Sequence, residues 1–316
     1  MPGKVSVQIP TYNQRQYISQ AIESVLMQDY PELEIIIADD CSVDGTEEII
    51  KKYKDERIRY FRNEKNIGRV ANYRKALYEY STGDWVVNLD GDDYYTDPSF
   101  ISRGMQLITE SRNRGENVVF YQAAIRLVND DTGGETRKQH KILGDKDHGL
   151  FDNYYLEVYR RNEFFSHLTT IYKRDIATSI GFYEFNTLNI DFESLAKMSF
   201  YGKVILDNRL AGVWRVHQGN ATHKTRNEFK TEGELLLNRL TGYAKEAYGK
   251  DYSPYWKKRI RRETEVLHLE LLAENGFPGE LLKNIFRYKR FYYRIPVLML
   301  KATIKNIKAA IKPAKK

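Results

Sequence analysis

Short apolar runs alternate with helical periodicity through the first hundred residues. Val5 to Ile9 alternates with a β-branched bias and halts at Pro10-Thr11-Tyr12-Asn13, which predicts a strand closed by a turn. Tyr17, Ile18, Ala21, Ile22, Val25 and Leu26 then share one helical face until Asp29-Tyr30-Pro31 ends the pattern. Leu33 to Ala38 is almost unbroken apolar, as expected of a strand buried on both faces of a parallel sheet. Beyond Asp39-Asp40 a helix is predicted over Glu47 to Tyr53, a strand over Ile58 to Phe61 and a helix over Val70 to Tyr80. Trp85, Val86, Val87 and Leu89, bounded by Gly83 and Gly91, make a fourth buried strand. This rhythm predicts an α/β fold with a doubly wound, mostly parallel, Rossmann-like sheet.

The second hundred residues carry weaker patterns. Ile101 to Ile108 predicts a helix, Val118 to Tyr121 a strand, Asp130 to Gly149 a surface loop or hairpin, and Phe164 to Tyr172 another strand. Asn189 to Lys197 opens a helix that stops before Gly202 and a strand, and Leu210 to His217 is a closing strand.

The fourth strand ends in Asp90-Gly91-Asp92-Asp93. Crowded carboxylates repel one another unless a cation or hydrogen-bond donors compensate them, and a hard divalent ion with oxygen ligands is the simplest compensation. The same run is also good turn chemistry. Its place decides in favour of a site: an open α/β sheet binds its ligand outside the carboxyl ends of its strands, where Asp39 and Asp40 also lie.

Composition changes the picture in two places. A single cysteine, Cys41, rules out an intrachain disulfide and fits a reducing compartment. The first residues do not read as a signal peptide and no apolar run is long enough to span a bilayer, so a cytoplasmic location is expected. The formal charge of +7 is also unevenly placed. From Glu228 onward 20 basic residues face 10 acidic ones, so the excess belongs to the tail.

Four blocks, PTYN at 10–13, ADDCSVDGT at 38–46, NIGRVANYRKAL at 66–77 and LDGDD at 89–93, stand in an order that resembles the nucleotide-sugar half of the inverting family 2 glycosyltransferases. The resemblance implies a GT-A fold with a catalytic domain over 1–226. Its nucleotide-sugar half would be 1–98 and its acceptor half 99–226, with a helical extension over 227–316. It implies a nucleotide diphosphate sugar, a UDP-sugar, as donor and Mn²⁺ or Mg²⁺ as cofactor. Processive members add a QxxRW motif and membrane helices, which this sequence does not show, so a non-processive transferase of bacterial surface-glycan type is expected.

The same resemblance suggests roles. Asp92, the last Asp of the DxD begun by Asp90, would hold the metal, with Asp90 and Asp93 sharing metal or ribose, and His217 completing the shell or meeting the diphosphate. Pro10, Tyr12, Asp39, Asp40, Asn66, Arg69, Asp90 and Arg215 would hold the nucleotide sugar, with Asp40 favoured over Asp39 for the base. Asp191 occupies the place of the catalytic base. The Glu expected just before it is Ile190, which leaves Glu193 as a rival.

From Asn227 the pattern turns helical and basic, with KKRIRR at 257–262. After Pro296 an aliphatic stripe (Val297, Leu300, Ile304, Ile307, Ile311) is shadowed by lysines one residue on. A basic amphipathic helix of this kind predicts contact with an anionic membrane surface, hence a saccharide or lipid-linked saccharide acceptor and a peripheral place at the inner face of the plasma membrane. Pairing of the tail helices in a homodimer competes with that reading. A nucleotidyltransferase would carry a glycine-rich basic loop near the N-terminus, which PTYNQRQY is not. A nucleic-acid partner is disfavoured by the acidic first three quarters of the chain.

Overall fold

A computed structural model describes residues 3–152, 154–155, 163–220 and 229–249. The expectations for KKRIRR at 257–262 and for the aliphatic stripe and lysines after Pro296 lie outside the described residues. In chain order the elements are β1 (Val5–Thr11), α1 (Ile18–Leu26), β2 (Leu33–Asp39), α2 (Thr46–Ile50), β3 (Ile58–Arg62) and α3 (Arg69–Lys75), which continues as a π-helical turn over Ala76–Tyr80. Next come β4 (Trp85–Asn88), β5 (Tyr94–Tyr95), α4 (Phe100–Asn113), β6 (Val118–Asn129), β7 (Glu135–Lys138) and β8 (His148–Phe151). The described part closes with β9 (Thr170–Lys173), α5 (Arg174–Ser179), α6 (Ile190–Met198), β10 (Lys203–Val216) and α7 (Phe229–Tyr248).

By contacts the chain divides into two compact units, Met1–Glu232 with Gly242–Lys250, and Gly233–Thr241 with Asp251–Lys316. The second is described only within α7. Among the described residues no helix is long and apolar enough to cross a membrane.

The first unit is built on one sheet in the order β3-β2-β1-β4-β9-β6-β10-β5, with β7 added beside β6 and β8 beside β10. β3, β2, β1 and β4 run parallel, as do β6 and β10, while β9 and β5 run against their neighbours. Every residue of β1, β2 and β4 is buried, which is why β2 and β4 read as apolar runs, whereas β1 alternates and buries the polar Ser6 and Gln8 on its second face. Val5, Val7, Ile9, Ile35, Ile37 and Val87 form one core with Ile18, Ile22 and Val25 of α1 and Ile101, Met105 and Ile108 of α4. Each such side chain removed from water contributes roughly 1.5–3 kcal/mol.

Two differences from the sequence reading bear on the site. The strand expected over Phe164–Tyr172 begins only at Thr170. Residues 163–166 leave the sheet and His167–Thr169 make a 3₁₀ turn, so this stretch lines a cleft instead of pairing. The strands expected after Gly202 and over Leu210–His217 are one, β10, interrupted by register shifts between Asp207 and Gly212. The irregularity surrounds the buried Asp207 carboxylate, which accepts bonds from Arg103 Nε at 2.6 Å, Tyr121 Oη at 3.1 Å and the Arg209 amide at 2.9 Å.

Candidate active site

Parallel pairing aligns Thr11 with Asp39 and Gln8 with Asn88, so the carboxyl ends of β1, β2 and β4 share one sheet edge. Above it opens a cleft of about 510 Å³, walled opposite by 163–168 and by the start of α6. The loops over the edge are locked together. Asn13 and Cys41 adopt positive φ, the Asn13 amide donates to Ser42 Oγ at 2.9 Å, and Asn13 Oδ1 accepts from the Val43 amide at 2.8 Å. Asparagine tolerates this backbone better than most residues, which suits position 13 to the turn.

Asp39 and Asp40 face opposite ways, as neighbours at a strand end must. Asp39 is fully buried, accepting from the Ser42 amide and from Tyr60 Oη, both at 2.8 Å. Asp40 lines the cleft, but its carboxylate is already engaged. It accepts from the amides of Ile67 and Gly68 at 2.8 Å each and from Asn63 Nδ2 at 3.0 Å. It therefore holds the loop that presents Asn66 and Arg69, both of which also line the cleft. Pro10 and Tyr12 complete this end, with Tyr12 about half exposed.

The acidic turn lies at the centre. Asp90, Asp92 and Asp93 each bring a carboxylate oxygen within 4.8 Å of the others. Burial works against ionisation of Asp90, yet His167 at 3.4 Å, the Tyr73 hydroxyl at 2.7 Å and Arg69 outweigh it and lower its pKa. Asp93 has the opposite fate: burial, then the charges of Asp92 and Asp90, push its pKa well up. Its carboxylate accepts from the Arg215 amide at 2.9 Å. Three oxygens from three carboxylates, one of them made reluctant to ionise by burial and by its neighbours, fit a hard divalent cation.

His217 does not line the cleft wall but reaches Asp92, with Nε2 3.0 Å from Oδ2. Its Nδ1 accepts from the Gly219 amide at 3.1 Å, so in this arrangement Nε2 carries the hydrogen and donates it to Asp92. The hydrogen bond that Nε2 donates to Asp92 raises the imidazole pKa, despite partial burial. The Arg215 side chain lies away from the cleft lining. It packs over Tyr17 and Tyr94, bonds Gln20 and lies 3.7 Å from Asp130.

Asp191 and Glu193 fall in the first turn of α6. Positions i and i+2 of a helix do not share a face. Asp191 accordingly lines the cleft, whereas Glu193 is buried and does not. Arg69 ties this turn to the acidic side, donating to the carbonyls of Thr187 at 3.0 Å and Leu188 at 3.2 Å while lying over the Tyr73 ring.

Several residues were given no role from sequence. His167 is buried against Asp90, with Nδ1 3.4 Å from Tyr183 Oη; burial lowers its pKa, but Asp90 prevails and raises it. Nothing local to His167 in sequence points to that contact, 77 positions away from its partner. Tyr73 stood within the NIGRVANYRKAL block without a role. Lys138 and Trp214, in the hairpin strand and the closing strand, also line the cleft.

Residues 6–181 match the family model described as Glycosyl transferase family 2. TuaG of Bacillus subtilis, named for teichuronic acid biosynthesis, is 47% identical over 91 residues, 28% of this chain and 36% of that protein. The GalNAc(5)-diNAcBac-PP-undecaprenol beta-1,3-glucosyltransferase of Campylobacter jejuni is 29% identical over 185 residues, 57% of this chain and 55% of that protein. The chain thus spans between about a third and about half of these curated relatives. Staphylococcus aureus TarS 1-349 in complex with UDP-GlcNAc shares the fold at a TM-score of 0.58 and 15% identity, covering 99% of this chain and 93% of that chain. Mannosyltransferase PcManGT from Pyrobaculum calidifontis, in complex with GDP-Man and Mn²⁺, does so at 0.57 and 18%, covering 97% and 88%. With more than half its length matched, this GT-A-folded chain belongs to glycosyl transferase family 2.

Proposed function

We propose that the chain is a metal-dependent, inverting, non-processive glycosyltransferase that moves a sugar from a UDP-sugar to a hydroxyl of a saccharide or lipid-linked saccharide in bacterial surface-glycan synthesis. The observation that carries this reading is the placement of the Asp90–Asp93 cluster and the separate carboxylate of Asp191 on one cleft. The UDP donor is supported by the UDP-GlcNAc complex of TarS, and the lipid-linked acceptor by the name of the Campylobacter relative.

Asp90, Asp92 and Asp93 would hold Mn²⁺ or Mg²⁺, an ion that, when bound, would neutralise charge on the departing diphosphate. Tyr12, Pro10, Asp40 and Asn66 form the nucleoside end, with Asp40 acting chiefly by holding the 63–68 loop in place. Asp191 takes the proton of the acceptor hydroxyl as the new bond forms, a contribution of roughly 10²–10⁴-fold. Inversion follows from one carboxylate acting as base with no nucleophile interposed. Glu193, buried, supports the helix rather than the chemistry. His217 orients Asp92, and Arg215 acts on the site through its backbone bond to Asp93.

We place the enzyme at the cytoplasmic face of the membrane, with a catalytic domain over 1–226 and a basic extension over 227–316 that binds anionic lipid. The deciding experiment measures nucleotide diphosphate release from a panel of UDP-, GDP- and dTDP-sugars with Mn²⁺, Mg²⁺ or EDTA, with donor binding followed by calorimetry. Release or binding confined to UDP-sugars and lost in EDTA is expected. Metal-independent binding, or none, would refute the reading.

A further inference from the structure

Lys138 is the residue of β7 that turns inward. Its neighbours Glu135, Thr136 and Arg137 are exposed, while Lys138 lines the cleft beside Ile125, its partner on β6. Its Nζ lies 5.9 Å from the centroid of Phe164 and 5.5 Å from that of Trp214, between two rings that also line the cleft. Burial depresses the ammonium pKa, against a pull upward from Asp191.

The charge around it is unbalanced. Asp40, Asp90, Asp92, Asp93, Glu163 and Asp191 line the same cleft. Of the cations there, Arg69 is bonded to two carbonyls and His167 is set against Asp90. Among the described residues, Lys138 alone of the lining cations has no carboxylate or carbonyl within hydrogen-bond reach. A half-buried ammonium facing aromatic walls is normally paired, because the low dielectric that penalises it alone strengthens any anion brought to it. Aromatic faces compensate it only in part.

We propose that the acceptor is an acidic glycan whose carboxylate or phosphate seats on Lys138 Nζ, between Phe164 and Trp214 and on the side of the cleft that holds Asp191. The inference rests on the glycosyltransferase reading and adds the substrate class. A neutral acceptor offers Lys138 only uncharged oxygens, which leave its charge unbalanced. An acidic one meets the carboxylates of Asp90, Asp92 and Asp191 elsewhere on the cleft, so the lysine also sets its register, bringing a hydroxyl of the acidic unit toward Asp191. The diphosphate of the donor is a poor candidate for the same anion, since the acidic turn that would receive it lies with Tyr73 and His167 rather than with β7.

The test uses the full chain, calorimetry in the presence of UDP and Mn²⁺, and three probes: a neutral dextran oligosaccharide, a glucuronic acid oligosaccharide and an oligo(glycerol phosphate). Wild-type protein should bind at least one acidic probe roughly tenfold or more tightly than the neutral one, as a charge-assisted contact predicts. Lys138→Gln should erase that difference and Lys138→Arg should keep it, with UDP affinity the same in all three proteins. The better of the two acidic probes tells carboxylate from phosphate. Equal binding of neutral and acidic probes by the wild type would overturn the proposal. So would an acid preference that survives in Lys138→Gln, which would assign the anion to the basic tail. Loss of metal-dependent UDP binding in the wild type would instead count against the glycosyltransferase reading, which keeps the two failures apart.

Discussion

Glu34 ties the amino ends of the parallel strands together, opposite the site edge, and offers a quantitative test of how those strands are held. It sits on β2, almost fully buried, and its carboxylate accepts from Ser6 Oγ at 2.5 Å, Lys4 Nζ at 2.8 Å, the Thr82 amide at 2.7 Å and Arg59 Nη1 at 3.2 Å. One residue therefore joins β2 to β1, to β3 and to the turn before β4, the strands whose ends carry Asp40 and Asp90. Burial opposes its ionisation, but the bonds from Lys4, Ser6 and Thr82 outweigh burial and lower the pKa from 4.5 to about 2. A native pKa below the unfolded one means stability that is present above pH 4.5 and lost as pH falls toward 2. The difference corresponds to about 3 kcal/mol at neutral pH. Glu34→Gln keeps the shape and removes the charge. Urea unfolding of the two proteins should show the variant less stable by up to about 3 kcal/mol at pH 7, with the gap closing below pH 4.5. Other carboxylates titrate in both proteins and cancel from the comparison. A gap that stays constant from pH 7 to pH 3 would refute the assignment of this stability to the ionised Glu34.

Asp92→Ala should abolish metal-dependent donor binding, read by calorimetry with Mn²⁺ and with EDTA; a normal metal requirement in the variant would remove Asp92 from the site. Asp191→Asn should leave donor affinity intact and lower transfer by roughly 10²–10⁴-fold. If Glu193→Gln behaves that way and Asp191→Asn does not, the base assignment moves. Gly83→Ala would set a methyl 2.8 Å from the Lys4 carbonyl and from the Ser6 amide, backbone atoms that cannot swing aside. It should cost roughly 1–3 kcal/mol in urea unfolding while leaving the metal requirement unchanged, and a neutral effect would show that this edge of β1 yields.

The sequence alone determined the parallel half of the sheet and its acidic edge. β2 and β4, covered on both faces, are local apolar runs, β1 is a local β-branched alternation, and the turn that follows each is local too. Such signals need no knowledge of partners. That is why Pro10, Tyr12, Asp40, Asn66, Arg69 and the Asp90–Asp93 cluster, all within 84 positions of one another, were legible and do meet on one cleft. Tertiary structure decided the rest. Whether Asp191 or Glu193 faces the cleft depends on the rotation of α6 about its axis, which packing sets. The side chain of Arg215 lies against Tyr17 and Tyr94 because β10 pairs with β5, a contact across more than a hundred residues. His167 meets Asp90, and Lys138 settles between Phe164 and Trp214, only because β9 and β6 are inserted between β4 and β10. Local pattern reports burial and turns; it carries no record of which distant side chain closes on a charge, and the chemistry of the acceptor side rests on those closures.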